Sequence, residues 1–185
     1  MKLLPVIFLL LVASASARGE AVHRVSNAEF KLSVSFPKGL LVCPALAWTH
    51  RHGFYAWLDR RDCKNHASGS YIMIRAEYNA ASETNLGEIL YCKDGDPLSQ
   101  AAMRELQLQF KGHLSAACRA EHADGRIIVS VVTQAGEQPG TYGSPEDATP
   151  EINYTASLRT TRRRFDSDLR VFQAVLRSVR VGDLK

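Results

Sequence analysis

The sequence predicts an α+β fold: a largely antiparallel sheet of about five to seven strands, with about three helices packed on it and two disulfides. Three segments carry this prediction. Residues 29–36, EFKLSVSF, alternate apolar and polar side chains as a half-buried strand does. Residues 126–134, RIIVSVVTQ, are a highly apolar run typical of a central strand. Residues 165–177 space their apolar side chains as an amphipathic helix does, with Asp166 or Ser167 as its cap.

The remaining elements are predicted from periodicity and turn residues. Ala123-Asp124-Gly125 is typical of a hairpin turn between two strands. Residues 136–150 are acidic and rich in Pro and Gly, which predicts a long loop. The other predicted strands cover residues 53–58, 70–78, 114–122, 152–160 and 178–181, and the other predicted helices cover residues 82–91 and 97–106.

The amino-terminal segment is typical of a secretory signal peptide. Lys2 precedes an apolar run from Leu3 to Val12, and Ala15-Ser16-Ala17 forms an A-x-A cleavage site. The alternative is a membrane anchor, but this run is about half of the roughly 20 residues that span a bilayer. The sequence therefore predicts cleavage after Ala17 and a periplasmic or secreted protein.

Length and composition predict one globular domain after this leader. The chain has 185 residues, of which 45% are hydrophobic and 23% charged, and its net charge is +4. This excess charge is too small to indicate a nucleic-acid partner. No later segment is predicted to span a membrane. The predicted boundaries are residues 1–17 for the signal peptide, 18–28 for an N-terminal extension and 29–185 for a single α+β domain.

Four cysteines predict two disulfides, because an even number in an exported chain usually forms a disulfide framework. Three pairings are possible. The sequence-local pairing, Cys43–Cys63 with Cys92–Cys118, is favoured. The alternative is free thiols.

The stretch between the first two cysteines, CPALAWTHRHGFYAWLDRRDC, is rich in aromatic and basic side chains. Phe54, Ala56 and Leu58 are expected to face the core, and Tyr55 and Trp57 the other side of the sheet. Tyr, Trp and Arg contribute much of the binding energy at protein interfaces. If that side is uncovered, the stretch forms a recognition patch; if helices cover it, the aromatic rings belong to the core. The candidate binding residues here are Trp48, His50, Arg51, His52, Tyr55 and Trp57.

His50 and His52 have the H-x-H spacing that places two side chains on one face of a strand. Asp59, Asp62 or His66 could complete a zinc site, which needs three or four ligands. The spacing is loose, and the cysteines are expected to be oxidised rather than nucleophilic. We therefore predict no catalytic residue, metal ligand or cofactor.

The strongest charge run is the basic cluster Arg159-Thr160-Thr161-Arg162-Arg163-Arg164, which ends in an arginine run, Arg162-Arg163-Arg164, just before the last predicted helix. It is either a contact for an anionic partner or a solvated turn between strand and helix. Three cations at a helix amino terminus oppose the helix dipole, which favours a functional reason for them. All three are candidate binding residues.

The two ends of the predicted domain resemble those of Mog1/PsbP-like domains. The opening strand stops at a proline in SFP, residues 35–37, and the closing segment FDSDLRVFQAVLRSVRV, residues 165–181, is an amphipathic helix that runs into a short strand. The resemblance implies an α/β/α sandwich that binds or assists other proteins and is not an enzyme. The four cysteines and the H-x-H stretch are not features associated with this family.

These observations together predict an exported, non-catalytic binding protein that docks another protein, as an immunity, inhibitor or accessory factor of the periplasm. One alternative is a metal-assisted hydrolase that uses His50 and His52. The other is a carrier of a small molecule or lipid.

Overall fold

The computed structural model describes residues 22–44, 52–60, 62–63, 69–90, 95–136 and 150–182. The predicted signal peptide and most of the predicted loop at residues 136–150 lie outside these ranges. The described strands are β1 (Val22–Asn27), β2 (Leu32–Pro37), β3 (Leu41–Pro44), β4 (His52–Trp57), β5 (Tyr71–Tyr78), β6 (Gly95–Pro97), β7 (Ala116–Glu121), β8 (Arg126–Ala135) and β9 (Ile152–Thr161). The described helices are α1 (Leu86–Ile89), α2 (Gln100–Glu105) and α3 (Phe165–Ser178), the last preceded by a 3₁₀ turn over Arg162–Arg164.

The sheet is antiparallel throughout, so the predicted α+β class is confirmed. Seven strands pair in the order β3-β4-β5-β9-β8-β7-β6, and β1 pairs with β2 in a separate two-stranded sheet. Strand β9 lies at the centre, because it pairs with β5 on one side and with β8 along its whole length on the other. The predicted strands at residues 126–134 and 152–160 are thus the middle of the sheet.

One face of the seven-stranded sheet forms the hydrophobic core. Ile74 lies opposite Ala156 in the β5–β9 ladder, and Ala156 lies opposite Val131 in the β9–β8 ladder. Side chains alternate along a strand, so this register lines up one apolar face. Helix α3 and strand β2 cover that face with Phe172, Val175, Leu176, Leu32, Val34 and Phe36, all of which are buried.

The carboxyl-terminal end of the chain is tied to β2 rather than forming a long strand. Ser33 and Arg180 exchange two main-chain hydrogen bonds of 3.0 and 2.8 Å. The Ser178 hydroxyl donates to the carbonyl of Ser35 and accepts from its amide. The strand predicted at residues 178–181 is therefore an isolated bridge. Strand β1, which completes the hairpin with β2, lies in the segment assigned from the sequence to an N-terminal extension.

The helices predicted at residues 82–91 and 97–106 begin later than predicted, at Leu86 and Gln100, and the third differs in its cap. The helix predicted at residues 97–106 begins at Gln100, because Pro97 pairs in β6 and the Ser99 hydroxyl caps the helix by accepting from the Ala102 amide. Neither predicted cap of α3 acts as one. That helix has Arg164 at its N-cap position without a side-chain cap, and the Ser167 hydroxyl donates to the Arg164 carbonyl.

A buried carboxylate joins α3 to the sheet. Asp168 is 3% exposed and accepts from the Thr160 hydroxyl of β9 at 2.5 Å. Arg164 donates to both oxygens of Asp168, at 3.1 and 3.2 Å, and to the carbonyl of Leu58 at 3.0 Å. These hydrogen bonds to the carboxylate raise the pKa of Arg164. The network links β9, α3 and the end of β4, and it satisfies a charge that would otherwise be buried without a partner.

Replacing Asp168 by Asn should weaken this link. The Asp168→Asn variant loses the charge that Arg164 binds, and we expect the free energy of unfolding to fall by about 2 kcal/mol, less than for a fully buried pair because Arg164 is partly solvated. Urea unfolding followed by circular dichroism measures the change. The matched control is Asp166→Asn in the same helical turn, which should cost only about 0.5 kcal/mol through the helix dipole. Equal losses in the two variants would contradict the proposed role of Asp168.

The phenol of Tyr154 gives the fold an alkaline pH dependence. Its side chain is fully buried and its hydroxyl donates to the Phe30 carbonyl at 2.8 Å. Burial raises the pKa of Tyr154 to about 12, whereas an unfolded tyrosine titrates near pH 10. The native state therefore keeps a proton that the unfolded state releases. The resulting stabilisation is complete below about pH 10 and is lost as the pH rises through about 12.

The Tyr154→Phe variant should lose part of this pH dependence. Between pH 9 and pH 11 its free energy of unfolding should fall less steeply than that of the wild type. At pH 8 the variant should be less stable by about 1 kcal/mol, because the Phe30 carbonyl loses its donor. Urea titrations at each pH measure both quantities. Parallel curves for the two proteins would show that Tyr154 does not set the slope.

Candidate functional site

The Cys43–Cys63 disulfide is confirmed. The two Cα atoms lie 6.0 Å apart, and the bond connects β3 to the segment that follows β4. One disulfide pair is described rather than the two predicted. Cys118 is itself a disulfide cysteine, but Cys92 lies outside the described residues, so the Cys92–Cys118 pairing stays a prediction. A disulfide is compatible with an oxidising, extracellular compartment.

Three aromatic rings meet on the face of the sheet opposite the core. Trp57 lies opposite Tyr71 in the β4–β5 ladder, and Tyr55 lies two residues before Trp57 on the same face. The ring of Tyr71 contacts the rings of Trp57, at 5.2 Å between centroids, and Tyr55, at 5.5 Å, both edge-on. Ala56 faces the core between Tyr55 and Trp57, as predicted from the alternation.

Two arginines stack on these rings. The Arg60 guanidinium lies 4.8 Å from the Trp57 ring centroid, and the Arg159 guanidinium lies 5.8 Å from that of Tyr71. We call Tyr55, Trp57, Arg60, Tyr71 and Arg159 the aromatic–arginine cluster. Trp57 is 1% exposed and forms its floor, whereas the other four side chains are half-buried. Trp57 is therefore interior, as the core interpretation of this stretch predicts, whereas the two tyrosines reach the surface.

Gly69 makes room for this arrangement. Its φ of +119° suits glycine, and a Cβ there would lie 2.7 Å from Nε of Arg60 and 2.9 Å from Oδ1 of Asp59. The Asp59 carboxylate in turn accepts from the Ser70 amide at 2.8 Å. The missing side chain at Gly69 therefore leaves space for Arg60 beside the ring of Trp57.

Sequence reasoning missed three members of the cluster: Arg60, Tyr71 and Arg159. Tyr71 was part of a correctly predicted strand, but its register with β4 was not predicted. Arg159 opens the basic cluster at residues 159–164, but it was not among the candidate binding residues. A possible signal was the alternation within residues 70–78, which places Tyr71, Met73 and Arg75 on one face. That alternation does not say which strand lies alongside.

His52, the described member of the histidine pair, lies away from the rings of the aromatic–arginine cluster. His52 is exposed, lies opposite Ala76 on the core side of the sheet, and stacks on the ring of Phe30 at 4.5 Å. His52 and Trp57 therefore face opposite sides. Trp48, His50, Arg51 and His66 lie outside the described residues. Among the residues that are described, no three His, Cys, Asp or Glu side chains cluster as metal ligands do. The metal-assisted alternative stays a prediction.

The arginine run does not form one continuous contact surface. Arg162 is exposed and forms an ion pair with Glu121 on β7. Arg163 is exposed, whereas Arg164 turns inward to Asp168 and the Leu58 carbonyl. One of the three candidate residues therefore has a structural role.

Comparison with known proteins gives no relative. No protein-family model, curated protein or solved structure matches this chain. Within the described ranges, no helix combines the length and apolarity needed to cross a bilayer, and the longest, α3, has 14 residues.

The disulfide beside the cluster should stabilise the fold. A Cys43→Ser/Cys63→Ser variant releases a loop with a sequence separation of 20 residues. We expect its free energy of unfolding to fall by about 3 kcal/mol, the loss typical of a loop of this size. Urea unfolding of oxidised protein measures this. The oxidised wild type should also gain about 2 Da for each disulfide reduced, which intact-mass measurement detects. A variant as stable as the wild type would show that the bond does not constrain the unfolded chain.

Proposed function

We infer that this protein is an exported binding protein that docks another protein through the aromatic–arginine cluster. The observation that supports this is the combination of half-buried Tyr55 and Tyr71 with two stacked arginines on a buried Trp57 floor. Tyrosine, tryptophan and arginine are the residue types enriched among the energetically dominant residues of protein interfaces.

The cluster is pre-organised for such a contact. Tyr55 and Tyr71 project from paired strands, which fix the backbone, and the Cys43–Cys63 disulfide lies beside them because Cys43 pairs with Tyr55 in the β3–β4 ladder. A rigid tyrosine loses little conformational entropy on binding, so more of its contact energy appears as affinity.

Two arguments from the sequence support the same proposal. The predicted signal peptide and the disulfide both fit a protein that acts in the periplasm or outside the cell. The resemblance of the chain ends to Mog1/PsbP-like domains favours binding or assistance of other proteins. The hydrolase and carrier alternatives stay predictions.

The proposal predicts a crosslink from the cluster to one protein. A photo-reactive phenylalanine analogue at position 71, in the full chain expressed in its own host, should give one dominant crosslinked protein that mass spectrometry identifies. The same analogue at the exposed Lys38, in the turn before β3, is the control and should not capture that protein. Capture at both positions, or at neither, would contradict docking through the cluster.

Affinity for the purified partner then tests individual residues. Arg159→Ala and Tyr71→Ala should each raise the dissociation constant at least about 10-fold, as expected for interface residues that contribute more than about 1.4 kcal/mol. Arg159→Ala leaves the aromatic rings in place and so guards against misfolding of the tyrosine variant. Lys38→Ala should change the constant less than twofold. If both cluster variants bound like the wild type, the cluster would not be the contact.

A further inference from the structure

A cationic cleft lies on the helical side of the sheet, opposite the aromatic–arginine cluster. It has a volume of about 730 Å³ and opens between the last turn of α2, the segment 106–115 that follows it, and the last turn of α3. Four of its lining side chains carry or can carry positive charge: Arg104, Lys111, His113 and Arg177. Gln107 and Gln109 add carboxamide groups.

No carboxylate compensates this charge among the described residues. Within the described part of the chain, none of the residues that line the cleft is acidic, and none of the cleft's basic side chains forms an ion pair. The basic residues that do face a carboxylate lie elsewhere: Lys31, Arg75, Arg119, Arg126, Arg162 and Arg164. The cleft therefore concentrates uncompensated positive charge in a concave surface, which attracts anions.

The helix dipoles account for only two of the four basic residues in the cleft. Arg104 lies in the last turn of α2 and Arg177 in the last turn of α3, where a cation offsets the negative end of a helix. Lys111 and His113 belong to no helix. Their convergence with the two arginines needs another reason.

Arg177 is held in place by the residue that ends α2. Its Nη1 donates to the Oε1 of Gln107 at 2.5 Å, and Gln107 has φ of +52° although it is not glycine. This left-handed residue ends α2, and the Leu108 amide that follows it donates to the Met103 carbonyl at 2.8 Å. A second hydrogen bond joins α3 to the end of α2, because the carboxamide of Gln173 donates to the Leu106 carbonyl at 2.7 Å.

The backbone of the segment that carries Lys111 and His113 is also held in place. The Ser115 hydroxyl accepts from the Phe110 amide at 3.1 Å and donates to the His113 carbonyl at 3.2 Å. Leu108 and Phe110 are buried in the hydrophobic core and anchor this segment. The cations are therefore presented by a segment whose backbone is anchored by core packing and hydrogen bonds, and such preorganisation lowers the entropic cost of binding a ligand.

We propose that this cleft binds a small soluble ligand that carries phosphoryl groups. Arginine guanidinium groups match phosphate oxygens with paired hydrogen bonds, and lysine adds a point charge. A phosphoryl group has nearly two negative charges and three acceptor oxygens, whereas a carboxylate supplies only one charge, so the phosphoryl group fits several converging cations better. The cleft volume lies within the range of small-molecule sites, about 300–1,000 Å³.

Titration calorimetry of the full chain with inorganic pyrophosphate, at low ionic strength and without divalent cations, tests the proposal. We expect one pyrophosphate per chain. The Arg104→Gln/Lys111→Gln variant should bind at least 10-fold more weakly. Neither side chain forms a hydrogen bond to another described residue, so the substitutions should not disturb the fold. The matched control is Arg24→Gln/Lys38→Gln, which removes the same two charge types from exposed positions outside the cleft and should change binding less than twofold.

Three outcomes would overturn the proposal. One is the absence of pyrophosphate binding by the wild type. Another is an equal loss of affinity in the two double variants, since binding would then follow net charge alone. The third is equally tight binding of malonate, a dicarboxylate that lacks phosphoryl groups. Vesicles containing phosphatidic acid, compared with vesicles of phosphatidylcholine alone, show whether the phosphoryl group belongs to a soluble ligand or to a lipid headgroup. Binding only to phosphatidic acid vesicles, without pyrophosphate binding, would assign the cleft to a lipid headgroup and refute the soluble ligand.

Discussion

A single buried carboxylate, that of Asp168, determines how α3 lies on the sheet. It joins the Thr160 hydroxyl of the central strand to Arg164 at the start of the helix, and Arg164 also reaches the end of β4. Once α3 is placed, its apolar stripe covers the core face, and its carboxyl-terminal end meets β2. The same constraint directs Arg164 towards Asp168 and leaves it only partly exposed, although its neighbours in the arginine run stay exposed.

The antiparallel register places different functional side chains on the two faces of the sheet. His52 and Trp57 are close in sequence, but they lie five positions apart on the same strand, and an odd separation places them on opposite faces. The aromatic–arginine cluster on one side and the cationic cleft on the other are different kinds of site. The first presents rigid rings and stacked guanidinium groups suited to a protein surface. The second presents uncompensated charge in a concave wall suited to a small anion.

Local patterns were sufficient for much of the fold. Alternation identified the strand around Val34, a highly apolar run identified the strand around Val131, and helical spacing identified α3, because each pattern reports burial within a single element. The pairing of Cys43 with Cys63 followed from closeness in sequence. Short strands such as β3 and β6 were missed because three or four residues carry too little periodicity. The predicted caps of α3, Asp166 and Ser167, were also wrong, because Arg164 occupies the N-cap position and the Ser167 hydroxyl donates to its carbonyl.

The sequence by itself determined the α+β class, the order of most elements, the sides on which Tyr55 and Trp57 lie, and the local disulfide. These features depend on neighbours along the chain. Only the tertiary structure decided that Tyr71 and Arg159 complete the aromatic–arginine cluster, or that α2 and α3 end beside one cleft. Such sites are assembled from segments far apart in sequence, and the strand register and helix packing that join them leave no pattern in any one segment.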